Sequence, residues 1–179
     1  MNVLLPGKGV PAPTHRLDAG EQLIWWDRPD PRRYALKDFT PFKVFFLLFF
    51  VGFSIFWMHG ASKSGGFFWM FGLLFFGAGL WGLAEPIRLY LSAPSVQYFL
   101  TDRRAAIVVG SSVKSTSVQN LRTIELDIGK DGIGDILFLE NLVGDGDGGT
   151  RTVRDGFIGI GDATAVEREM RRLQSAAAA

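Results

Sequence analysis

Two long apolar stretches without charge constrain this chain more than anything else in it. Between Val44 and Ser62, 19 residues pass without a formal charge, and between Ser64 and Ala84 another 21. A helix needs about 20 apolar residues to cross the hydrocarbon core of a bilayer. A helix pair buried in a soluble protein keeps a polar stripe, and VFFLLFFVGFSIFWM and FFWMFGLLFFGAGLWGLA have none. Most of the 16 Phe and three of the 5 Trp fall between Phe39 and Trp81, so this region is read as two transmembrane helices. The link His59–Gly66 is short and rich in Gly and Ser. It suits the tight turn of an antiparallel helical hairpin and leaves no room for a folded loop domain.

Sidedness follows from the cations. Arg28, Arg32, Arg33, Lys37 and Lys43 precede the first span, and Arg88, Arg103 and Arg104 follow the second, whereas the link holds only Lys63. Positive residues stay on the cytoplasmic side during insertion, which predicts that both termini face the cytoplasm. The run Val3–Leu5 is too short for a signal-peptide core and Pro6 interrupts it, so the first span is expected to act as the insertion signal. In the second span Ala78 and Gly82 have the small-xxx-small spacing that lets helix backbones approach, predicting a packing face there. Glu85 is read as an edge residue paired with Arg88 three positions on, Pro86 as a kink, and His59 as an interfacial side chain.

After Ala93-Pro94 the aromatic content falls and alternating segments appear. Ser95–Leu100 and Ala105–Val109 flank a polar turn and read as a β-hairpin; Thr123–Ile128 alternates, with Ile124, Leu126 and Ile128 on one face. Gly134–Leu139, Thr150–Val153 and Phe157–Ile160 are further strands. Asp162 is a candidate N-cap for a final amphipathic helix whose apolar stripe is Val166, Met170 and Leu173, with Ser175–Ala179 as a frayed tail. Five regions result: 1–19 an extended Pro/Gly-rich segment, 20–40 a cytoplasmic strand and basic juxtamembrane segment, 41–91 the hairpin, 92–174 a β-rich cytoplasmic domain, and 175–179 the tail.

Short antiparallel strands followed by one helix are the layout of a pleckstrin-homology (PH) barrel, with the helix plugging one open end. Tyr98-Phe99-Leu100-Thr101-Asp102-Arg103-Arg104, the segment Gly20–Trp26 ahead of the helix pair, Leu121-x-x-Ile124, Gly132-x-Gly134-x-Ile136 and Phe157-x-x-Ile160-x-Asp162-Ala163-x-x-Val166 carry a resemblance to the bacterial PH-domain membrane proteins over residues 20–174. The resemblance implies a membrane α-helical hairpin joined to a mainly-β PH-like barrel or sandwich with a C-terminal helix, in the bacterial inner membrane. It also implies that Tyr98, Leu100, Thr101, Asp102 and Arg104 are fold-motif residues.

Catalytic patterns are missing from the sequence. There is no Cys, the two His lie far apart, and no nucleophile elbow, zincin motif, P-loop or dinucleotide fingerprint occurs. A net charge of +1 gives no polyanion-binding face, so nucleic acid is not an expected partner. Val143–Thr150 carries the Asp145-x-Asp147 pattern of a cation loop but lacks the Glu an EF-hand needs, and reads as a flexible turn. No cofactor or metal is expected. What remains is a non-enzymatic accessory or scaffold subunit whose partners are the lipid bilayer and a larger membrane protein complex, respiratory or photosynthetic being one guess. The Pro/Gly-rich residues 1–15 cannot build a core and are expected to be held by that complex. Trp25, Trp26, Arg32, Arg33, Arg103, Ala78 and Gly82 are the candidate interface or membrane-surface residues, with one Trp of the pair buried and the other interfacial. The alternative is a lipid- or envelope-sensing PH-like protein using Arg103, Arg104, Arg122 and Lys130. Residues 92–179 hold 10 Lys/Arg against 12 Asp/Glu, a difference of −2, which counts against general attraction to anionic lipid.

Overall fold

The computed structural model describes residues 10–63, 67–121, 123–129, 132–144 and 150–178. The chain divides into two compact units: a helical unit, Ala35–Leu91, and a sheet unit made of the chain up to Tyr34 and again from Ser92.

In the helical unit, α2 (Pro41–Ser62) and α3 (Phe68–Leu83) pair. Pro41 opens α2, and Thr40 accepts a hydrogen bond from the Lys43 amide at 3.2 Å, an N-terminal cap. Expected turn residues His59–Ser62 form the last turn of α2, and Lys63 caps it; residues 64–66 lie outside those described. Pro86 stands near the start of a separate helix, α4 (Glu85–Ser92), where its missing amide costs nothing. Two helical runs, α2 and the stretch Phe68–Ser95 that takes in α3 and α4, are long and apolar enough to cross a membrane, and only 6% and 11% of their most apolar windows are buried. Their aromatic side chains therefore point outward, unlike those of a soluble core.

The sheet unit starts with β1 (Leu23–Asp27) and α1 (Pro31–Leu36), whose last residues pass into the helical unit. After the helices come β2 (Val96–Thr101), β3 (Arg104–Val109), β4 (Ser112–Ser117), β5 (Glu125–Ile128), β6 (Gly134–Gly144), β7 (Thr150–Ile160) and α5 (Ala163–Ala178). The strands form two antiparallel sheets, ordered β1-β2-β3-β4 and β5-β6-β7, with no closed barrel among the described residues. β1 pairs with β2, Asp27 opposite Tyr98, although the whole helical unit separates them in sequence. Phe157 of β7 joins the sheets: its ring lies 5.3 Å from Trp25, 5.1 Å from Tyr98 and 4.8 Å from Phe138. Val166 and Met170 of α5 complete this core.

Several expectations change at this level. Thr150–Val153 and Phe157–Ile160 are one continuous strand, and β4 appears where Ser-Val-Lys-Ser-Thr-Ser offers no apolar alternation. Ile128 is 50% exposed because β5 is a short edge strand. The expected tail is helical through Ala178, since alanines carry the strongest helix propensity. Asp162 precedes α5 with φ of 52°, and its carbonyl accepts the Ala165 and Val166 amides.

Candidate interaction surface

The Tyr98–Arg104 motif separates into core and latch. Tyr98 and Leu100 are buried, and burial pushes the Tyr98 phenol up, so it stays neutral. Thr101 accepts the backbone N–H groups of Arg103 (3.2 Å) and Arg104 (3.0 Å), closing the β2–β3 turn, and donates to Glu21 Oε1 at 2.7 Å. Asp102 Oδ1 accepts the Gln22 amide at 2.8 Å. Arg104 grips Glu21 with two prongs, Nε to Oε1 at 2.8 Å and Nη2 to Oε2 at 2.9 Å, while Nη2 also donates to the Arg16 carbonyl at 3.1 Å. The Asp18 amide donates to Glu21 Oε2 at 2.8 Å. Burial raises the Glu21 carboxyl, but the hydrogen bonds from Arg104, Asp18 and Thr101 outweigh it and bring the group down to about 2. Arg104 is thus engaged with Glu21 within the fold, while Arg103 is exposed; Arg122 and Lys130 lie outside the described residues.

Arg33 is likewise engaged. Its Nη1 donates to the Ile133 carbonyl at 2.6 Å, and its Nε lies 3.3 Å from Asp135 Oδ1. Asp30 accepts the amides of Arg32 and Arg33 at 3.0 Å each and donates its own amide to the Gly159 carbonyl at 2.7 Å. Gly159 has φ of +66°, and a Cβ there would stand 3.1 Å from the Asp30 nitrogen, so glycine permits the approach. Arg33 thereby anchors the start of α1 to the second sheet, and Arg32 stays exposed.

The adjacent tryptophans face opposite ways. Trp25 is 2% exposed and belongs to the core against Phe157, so it is no surface anchor. Trp26, half-buried, packs with Leu17 and Leu23 on a cluster of Phe99, Ala106 and Val108 on the other face of the first sheet. Its indole N–H donates to the Val10 carbonyl at 2.9 Å, and the Gln97 side-chain amide donates to the Pro11 carbonyl at 2.7 Å. Arg16 Nη2 donates to the Gly110 carbonyl at 3.0 Å. The described part of the Pro/Gly-rich segment therefore rests on this chain's own sheet; residues 1–9 lie outside the described part.

On the hairpin, a Cβ on Gly82 would stand 2.7 Å from Leu47 Cδ2, and one on Gly79 2.6 Å from Val51 Cγ2. A Cβ on Gly72 would collide with Met58. The packing face is Gly72, Gly79 and Gly82, and Ala78 is exposed beside it. Helical residues turn about 100° each, so Gly72 and Gly79, two turns apart, share a face that Ala78 misses. Glu85 pairs with Lys43 across the hairpin, not with Arg88, whose guanidinium lies 4.8 Å over the Trp81 ring.

Among the described residues no three His, Asp or Glu side chains converge as metal ligands. The Asp145/Asp147 loop lies outside the described residues. No family model, curated protein or solved structure matches the chain.

Proposed function

We propose that this chain is a non-enzymatic accessory or scaffold protein of the bacterial inner membrane, anchored by its helical hairpin and presenting a PH-like sheet unit to a membrane protein complex on the cytoplasmic side. One observation carries the reading. β1 and β2 are hydrogen-bonded neighbours, yet both long apolar helices lie between them in sequence. One sheet cannot form through a bilayer, so the flanks of the hairpin belong on one side, and a pair of spans returns the chain to it. The four-stranded and three-stranded sheets followed by a single helix agree with the PH-like layout that the motifs suggest. The excess of Lys and Arg outside the link supports the cytoplasmic side. Later pairing of Lys43 and Arg33 does not weaken this, because orientation is chosen before the fold forms.

The natural absence of Cys makes sidedness directly measurable. Ser62→Cys is expected to react with a membrane-impermeant maleimide in intact spheroplasts, and Ser112→Cys only after permeabilisation. The scaffold role is tested by mild-detergent extraction followed by native electrophoresis and mass spectrometry. Migration with a defined set of membrane proteins supports it. Extraction by alkali without detergent, or recovery only as a lone monomer, sinks it.

A further inference from the structure

We infer that the furrow between α2 and α3, running from Phe50 and Phe75 to Gly60 and Phe68, seats one acyl chain of an anionic phospholipid, with Lys63 at its mouth meeting the phosphate. Two hollows make the furrow. One, of about 480 Å³, lies between Trp57, Gly60 and Phe68; the other, of about 210 Å³, lies between Phe50, Trp57 and Phe75. Trp57 borders both. Phe50, Trp57 and Ala61 recur at helical spacing on α2, and Phe68 and Phe75 stand two turns apart on α3, so the hollows join end to end along one side of the hairpin. The space is open where glycine stands: a Cβ on Gly60 would meet nothing within 4 Å. The Ser54 hydroxyl beside the narrower hollow donates to the Phe50 carbonyl at 2.7 Å, which leaves the walls to aromatic and aliphatic carbon.

Length and charge select the occupant. The inference rests on the membrane reading proposed above, in which the link lies at the outer leaflet. From Phe50 to Ala61 the helix rises about 16 Å, and half of a hydrocarbon core about 30 Å thick is about 15 Å. The furrow therefore has the depth of one leaflet, the reach of one lipid chain hung from the link side. A partner helix crosses the whole core instead and brings no anion. Lys63 supplies the second criterion. It caps α2 with helical backbone angles, so Phe56 and Gly60 of the wider hollow and Lys63 lie on one side of the helix at i, i+4 and i+7, with the lysine one turn beyond the hollow. Lys63 is exposed and no described side chain pairs with it, unlike Lys43 at the other end of the hairpin, which Glu85 holds. A lipid phosphate provides the missing counter-charge. Within hydrocarbon no hydrophobic force drives a chain into the furrow; the gain is the dispersion contact that a shaped wall adds, and the charge sets which lipid stays.

The test uses the full chain in detergent, supplied with phosphatidylglycerol or with phosphatidylcholine of equal chain length, and native mass spectrometry reads the lipid retained per chain. One phosphatidylglycerol is expected to stay bound, about fivefold more tightly than phosphatidylcholine, the weight of one cation near an anionic lipid. Lys63→Gln removes that preference. Gly60→Phe fills the wider hollow and lowers retention of both lipids by about fivefold or more. Gly77→Phe, turned about 200° from Phe75 and also facing open space, leaves retention unchanged. Far-UV circular dichroism checks that the helices persist in Gly60→Phe, and Gly60→Leu, the milder change, shifts retention in the same direction. Equal retention of both lipids by the natural chain, or indifference to either Lys63→Gln or Gly60→Phe, overturns the site. A dimer that excludes lipid and is abolished by Gly60→Phe overturns the occupant. If no lipid is selected while the chain still needs detergent for extraction, this inference alone falls; if the chain leaves the membrane in alkali without detergent, the membrane reading falls with it.

Discussion

A buried carboxylate costs several kcal/mol unless protein donors replace its water. Glu21 has four such donors: Arg104 Nε and Nη2, the Thr101 hydroxyl and the Asp18 amide. Its carboxyl is held at about 2, below the ordinary 4.5, so the stabilisation is complete above about pH 4.5 and is lost as pH falls toward 2. Thermal unfolding should therefore drop more steeply over that interval in the natural chain than in Glu21→Gln; parallel curves would refute the linkage. Arg104→Leu leaves the carboxylate enclosed and unpaired, and is expected to cost roughly 3–5 kcal/mol in denaturant unfolding. Glu21→Leu with Arg104→Leu should recover much of that loss. At Gly156 a Cβ would stand 1.9 Å from the Ile136 carbonyl oxygen and 2.8 Å from Leu137 Cα, backbone atoms of the neighbouring strand that cannot swing aside, whereas Gly161 faces open space. Gly156→Ala is expected to cost at least about 1–3 kcal/mol, and Gly161→Ala to change stability by less than about 0.5 kcal/mol. Thr101, Asp102 and Arg104 were legible as a motif, but Glu21 as their partner was not: a carboxylate 83 positions away carries no local mark of the arginine it meets.

Among the elements, the helical hairpin was the most legible, because a long uncharged apolar run is enough to mark a long apolar helix. Its packing face was less so. Glycine spacing offers several faces, and which one meets α2 depends on where Leu47, Val51 and Met58 stand. Gly79→Leu should force the helices apart and lower the yield of a disulfide engineered between Leu47→Cys and Gly82→Cys. Gly77→Leu, where a Cβ meets nothing within 4 Å, should leave that yield unchanged. Equal yields would place the contact on another face. β4 was illegible for the opposite reason: five of its six residues, Ser112–Ser117, are polar, so only hydrogen bonding to β3 makes it a strand.

At the level of the whole molecule, a hairpin of two long apolar helices is inserted in the sequence between two strands of one sheet. β1 has no partner until β2 emerges after the second helix, so the sheet unit completes only when both flanks are present. Asp27 lies opposite Tyr98, and the inserted unit is compact by itself. Replacing residues 35–91 with a flexible Gly/Ser linker of about 12 residues should therefore yield a water-soluble, β-rich monomer, seen by circular dichroism and gel filtration. Aggregation of that product would mean that the sheet unit depends on the helices for its fold.

The sequence by itself determined the elements that rest on local composition: two long apolar helices from uncharged length, the β2–β3 hairpin from alternation around a polar turn, and the last helix from its Val166/Met170 stripe. Tertiary structure alone decided the pairings between distant residues: Glu21 with Arg104, Lys43 with Glu85, Arg33 with Asp135, and the Pro/Gly-rich segment with Trp26 and Gln97. Among the described residues it also arranged the strands as two sheets and not as one closed barrel. Periodicity reports which face of an element turns inward, whereas a pairing depends on where two elements meet in space, and no window along the chain contains both.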